Sequence, residues 1–149
     1  MNPAGSSAIT TLTATLLLAL AGCGDGQETP MTLEDRAEQV AADARSNMDA
    51  LADRVGTDPE VTQDELSDCI PGRRDSGLDL IYNIAVTTEP GAMDRVLADV
   101  VPDYEADGWT VRQRGSDNIV FERDNVTMGA RFSDDGTRAT VGGSGGCVR

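Results

Sequence analysis

The chain contains no histidine and no lysine. The absence of histidine removes the side chain that most often serves as general base or metal ligand near neutral pH. Its 12 basic residues are therefore all arginine, and they face 26 acids for a net charge of −14. That balance argues against a nucleic-acid partner, because binding to a phosphate backbone depends on a basic surface. It also opposes adhesion to anionic lipid by charge alone. Aromatic residues make up 3% of the chain, so a core has to be assembled from Val, Leu, Ile, Ala and Met. Several motifs are missing as well. There is no Cys-x-x-Cys, and the one G-x-S-x-G spelling, Gly142–Gly146, lacks the helix that must follow a nucleophile elbow. The run Gly142–Gly146 precedes a cysteine rather than a helix and so is no phosphate loop. Asp134-Asp135-Gly136 lacks the alternating acid spacing of a calcium loop and reads as a hairpin turn. No metal and no cofactor is expected. Paired carboxylates could run glycosidase chemistry, but so many acids make accidental pairs unavoidable.

Charge is also missing from residues 1–22. Within them, residues 8–21 (AITTLTATLLLALA) form an apolar run. It is too short to span a bilayer, which takes about 20 apolar residues. It fits the apolar region of a signal peptide followed by small residues. Leu20-Ala21-Gly22-Cys23 resembles the bacterial lipobox. That resemblance implies diacylglycerol on the Cys23 sulfur and cleavage before it. Residues 1–22 are then a lipoprotein signal peptide and 23–32 a lipidated tether, followed by one domain over 33–149. The competing reading is an ordinary cleaved secretory signal with Cys23 an incidental thiol.

Three cysteines are an odd number for an exported chain. With Cys23 acylated, Cys69 and Cys147 remain as an even pair in an oxidising compartment. Both lie among loop formers, "SDCIPGRRDSG" and "GGSGGCVR". We expect them to be bonded, with the glycines of 142–146 acting as a flexible return.

From Leu33 the apolar residues Leu33, Ala37, Val40, Ala41, Ala44, Met48, Leu51, Ala52 and Val55 recur at helical spacing. Thr32 is the candidate N-cap and Gly56 the stop. Such a stripe packs on its own sheet or forms a seam for a partner. Residues 57–77 read as an acidic loop with at most a short helical turn near Glu60–Leu66. Alternation over 78–88 marks a strand. A second helix follows, with Pro90 in its first turn and Pro102 kinking or ending it. Strands over 109–114, 118–123, 126–133 and 137–142 complete the chain. The expected fold is α+β, with two helices on one face of a four- to five-stranded, mostly antiparallel sheet, in the order helix, strand, helix, meander.

Cys69-x-Pro71-Gly72, the β–α unit after it, the Gly108-Trp109 step into a strand and Gly146-Cys147 together resemble small lipoproteins of actinobacteria that have no settled activity. The resemblance covers roughly residues 66–149 plus the lipobox. It implies export, one disulfide and a compact α+β domain, and it supplies no catalytic residue.

Charge is unevenly spread: residues 24–72 carry net −10, 73–107 net −5 and 108–149 net +1. By alternation Trp109, Val111, Ile119, Phe121, Val126, Met128, Ala130 and Phe132 face the helices. Arg112, Arg114, Glu122 and Arg131 then face away, with Arg138 nearby. Guanidinium groups on an open sheet face suit a carboxylate, a phosphate or an acidic envelope protein, or pair with the protein's own acids. The leading functional expectation is a membrane-anchored, extracytoplasmic lipoprotein that acts as a non-enzymatic binding or accessory module at the cell envelope. The alternatives are a carboxylate-dependent envelope hydrolase and a carrier of a small apolar ligand.

Overall fold

The computed structural model describes residues 30–149. The expected signal segment 1–22, Cys23 and the expected tether as far as residue 29 lie outside the described residues. Among those described, no helix is long and apolar enough to cross a membrane.

Helix α1 (Leu33–Val55) starts and stops where its capping residues predict. The Thr32 hydroxyl accepts from the Asp35 backbone N–H while the Asp35 carboxylate accepts from that of Thr32, closing a capping box. Its apolar stripe is buried from Ala37 to Val55, whereas Val40 stays exposed. The stripe packs on the protein's own sheet, against β2, β6, β1 and β5 as defined next.

The sheet has six strands: β1 (Thr57–Asp68), β2 (Leu78–Thr87), β3 (Thr110–Arg114), β4 (Asn118–Arg123), β5 (Val126–Phe132) and β6 (Arg138–Ser144). Their spatial order is β1-β2-β6-β5-β4-β3, and every neighbouring pair is antiparallel. The α+β class and the antiparallel sheet agree with expectation. The strand count does not, because residues 57–68 form β1 rather than a loop. This edge strand is exposed along most of its length and is held mainly by backbone pairing to β2, with two irregularities of register. Its acids and Pro59 are residues that strands disfavour but edges tolerate, since they discourage pairing with other chains.

Between β2 and β3 the chain runs through α2 (Ala92–Arg95), a π-helical turn (Val96–Val100) and α3 (Val101–Ala106). Pro90 precedes this rod rather than opening it: Gly91, at φ 83°, is the N-cap. Pro102 falls in the first turn of α3, and the widened π turn lies immediately before it. The Val101 N–H reaches back to the Val96 carbonyl, so the helix absorbs the proline as an insertion instead of ending there.

Both helical rods cover one face of the sheet. Met48, Leu51 and Val55 of α1 and Val96 and Val100 of the second rod join Leu80, Ile84, Ile119, Phe121, Met128 and Val141 in one core. Tyr104 meets Trp109 and Phe121 edge-to-face, with ring centroids 5.8 and 4.9 Å apart, and the Arg123 guanidinium lies 4.4 Å over Trp109. Three of the scarce aromatics thus seal the far end of the core.

Cys69 and Cys147 are disulfide-bonded. Beyond β6 the tail returns beside β2, where Leu78 and Val148 exchange backbone hydrogen bonds. Gly77 allows this approach. It sits at φ 101°, and a Cβ there would meet the Val148 carbonyl and lie 3.1 Å from Cys147 Sγ. The expected flexible stretch is shorter than read, because Gly142 and Gly143 belong to β6.

Candidate functional site

The face of the sheet away from the helices is uncovered. Residues opposite one another in register share a face, so strand pairing fixes which side chains occupy it. One row across the strands runs Arg114, Asn118, Arg131, Thr140, Ala85. The next runs Arg112, Val120, Gly129, Gly142, Asn83, Gln63. A third holds Thr110, Glu122, Thr127 and Ser144. The middle row carries no side chain at its two central positions, Gly129 and Gly142. The result is a trench of about 410 Å³ running across the strands, floored by Gly129 and Gly142.

Neighbouring groups have taken the space these glycines leave. A Cβ on Gly142 would run into the Asn83 side-chain oxygen, and one on Gly129 would come within 2.8 Å of the Ile119 carbonyl and 3.6 Å of Asn118 Oδ1. Two side-chain amides therefore lean over the floor, one from each end. Asn83 also donates to Gln63 Oε1 at 2.8 Å, which closes the trench at the β1 end. The walls differ. Arg131 and Thr140 stand on one side, and Arg131 also borders a second hollow of about 230 Å³ with Arg138. Thr127 lines the other side, with Glu122 beside it in the same row.

The three arginines singled out from the sequence are all on this face, but they are not equivalent. Arg112 is ion-paired to Glu122. Arg114 and Arg131 flank Asn118 in register and take part in none of the ion pairs among the described residues. Their Cα atoms are two strand spacings apart, about 10 Å, a gap two extended guanidinium side chains can span; Arg131 lines the trench and Arg114 stands beyond Asn118 in the same row. Asn83, Asn118, Thr127, Thr140 and the two floor glycines escaped the sequence reading. The available signal was a glycine in the interior of a strand, at 129 and again at 142, which marks close approach of backbone or ligand.

Acids gather elsewhere. Asp94, Asp117, Asp134 and Asp135 surround a hollow of about 450 Å³ near the start of α2. Asp135 is already used there as a turn residue. Its carboxylate accepts from the Ser133 hydroxyl and from the Thr137 N–H and hydroxyl, which holds its pKa down to about 2. That agrees with the hairpin-turn reading of Asp134-Asp135-Gly136. Among the described residues no three His, Cys, Asp or Glu side chains stand close enough together to hold a metal ion. Between α1 and β1, Asp49 and Asp53 border a hollow of about 320 Å³. Asp49 accepts a 2.9 Å hydrogen bond from the Tyr82 hydroxyl. Burial, with that hydrogen bond and the charge of Asp49 behind it, pushes Tyr82 up to about 12.

Comparison with protein-family models, with curated proteins and with solved structures finds no match to this chain. The functional argument therefore stands on the chemistry of the open face.

Proposed function

We propose that the protein is a membrane-anchored, extracytoplasmic lipoprotein, held by diacylglycerol on Cys23, that works as a non-enzymatic binding module through the open face of its sheet. One observation carries the binding role. In a chain with more than twice as many acids as bases, Arg114 and Arg131 stand on an uncovered face outside every ion pair among the described residues. The orientation of α1 supports the same reading. The chain enters α1 at Thr32; Gly145, just past β6, lies against Val40 and Ala44, two to three turns into the helix, whereas Gly56 at its far end abuts Thr87. Thr87 is the register partner of Arg138. A 23-residue helix is about 35 Å long. An anchor on Cys23 would join the domain through the first turn of α1, and Arg114, Arg131 and Arg138 lie toward the other end of the sheet.

Two experiments test this. Cys23→Ser is expected to move the protein out of the membrane fraction or leave the precursor unprocessed; an unmodified Cys23 sulfur in the intact mass of membrane-extracted protein would refute the anchor. A pull-down from envelope extract is expected to lose its ligand with Arg112→Ser/Arg114→Ser/Arg131→Ser. Equal retention by wild type and triple variant would move the binding site off this face.

A further inference from the structure

Resting on the reading that the open face binds, we propose that the trench takes a small, hydroxyl-rich molecule carrying a single phosphate or carboxylate. The oxyanion lies between Arg131 and Arg114 beside Asn118, and the body lies over Gly129 and Gly142.

Three features select this class. The anion end is set by register. Arg114, Asn118 and Arg131 are consecutive in one row, so two forked donors flank one side-chain amide, the arrangement that grips an oxyanion through several charge-assisted bonds. The body end is set by the lining. Asn83, Asn118, Thr127 and Thr140 offer amides and hydroxyls, and the floor between them is the backbone of Gly129 and Gly142, over which the two amides lean. Such a surface matches the hydroxyls of a polyol or sugar and leaves room for its ring. The size is set by volume and by charge. About 410 Å³ lies at the small end of ligand sites. Past Asn83 the open face turns acidic, because Glu60 and Glu65 of β1 pair with Ala85 and Ile81 and so share it. Glu122 stands by the opposite wall. An extended polyanion, whether an acidic polypeptide or a nucleic acid, would be attracted at one end of the trench and repelled at the other. A single anionic group with a neutral body is not.

The test is calorimetric titration of the full chain in neutral detergent with glucose 6-phosphate, sn-glycerol 3-phosphate and glucuronate, against glucose and inorganic phosphate alone. Saturable binding of an anionic sugar or polyol is expected, at least tenfold tighter than either half. Arg131→Gln should weaken it about tenfold or more, and Thr140→Val by a smaller factor. Raising the salt concentration should weaken it as well. Glu60→Gln/Glu65→Gln should leave it unchanged or tighten it, a result that a misfolded variant cannot give. Vesicles of phosphatidylglycerol against phosphatidylcholine separate the sources. Arg131-dependent retention on the former, displaced by sn-glycerol 3-phosphate, identifies a lipid headgroup; binding in solution without retention identifies a free solute. Absence of saturable binding to every anionic probe, or binding indifferent to Arg131→Gln, overturns the proposal. If the envelope pull-down still depends on the arginines in that case, the open face binds a macromolecule and only the small-ligand inference falls.

Discussion

The two faces of the sheet are written in alternate residues of the same strands, and they use volume in opposite ways. On the covered face Tyr82, Phe121, Met128 and Val141 are 0–5% exposed and fill the space under the helices. One residue along on each strand, the open face shows Asn83, Val120, Gly129 and Gly142, two of which have no side chain. Stability is concentrated on one side and an unfilled polar trench on the other. The same register fixes both, since a slip of one residue would exchange them. The comparison teaches that the glycines let the Asn83 and Asn118 amides close in over bare backbone, so the open face is polar and shallow where the covered face is filled.

Substitutions that remove volume should therefore be costly on one face and nearly silent on the other. Phe121→Ala should lower unfolding stability by about 3–5 kcal/mol in denaturant melts, whereas Val120→Ala, its neighbour on the open side, should cost less than about 1 kcal/mol. Comparable losses at the two positions would end the distinction. Reduction of Cys69–Cys147 releases a loop of 78 residues and should cost about 2–4 kcal/mol, read as a drop in melting temperature of several degrees.

Tyr82 gives the covered face an alkaline limit. Its folded pKa, about 12, lies above the ordinary 10, so the fold favours the protonated hydroxyl. That contribution is complete below pH 10 and fades as pH rises through 12. Melting temperatures measured from pH 8 to 12 should fall over this window in the wild type, and less steeply in Tyr82→Phe. Asp135 behaves in the opposite sense. Its folded pKa of about 2 lies below the ordinary 3.8, so its stabilisation is present above about pH 4 and is lost as pH falls toward 2. Asp135→Asn should flatten that acid limb by a small amount, because the turn is exposed. The smallest effect belongs to the open face: Arg131→Gln should leave stability within about 0.5 kcal/mol of wild type.

How much of this could be read from the sequence depended on whether an element announces itself locally. Helix α1 did, because the stripe from Ala37 to Val55 and the Thr32 cap are contained in one segment. The outward placement of Arg112, Arg114 and Arg131 followed from alternation alone. Strand β1 was illegible because its two faces are both largely solvent-exposed, so no period of two appears, and its stability comes from backbone bonds that leave no mark on side-chain choice. The second rod was half legible. Pro102 signalled a disturbance, but a π turn and a break look alike from a proline. The trench was hidden for a different reason: its lining comes from β2, β4, β5 and β6, and only the tertiary order brings Asn83 over Gly142.

That order has a consequence for how the chain is made. Strand β6, the last to emerge, lies in the interior of the sheet between β2 and β5. Until it arrives there are two separate pieces, the β1–β2 hairpin and the β3–β4–β5 meander, each with a bare edge where β6 will go. Neither piece can close the core under α1, because Ala139 and Val141 are still absent from it. Folding is therefore a late, non-local event that joins distant segments in one step, the kind of topology that folds slowly. The two pieces stay pliable until β6 slides between them as a keystone.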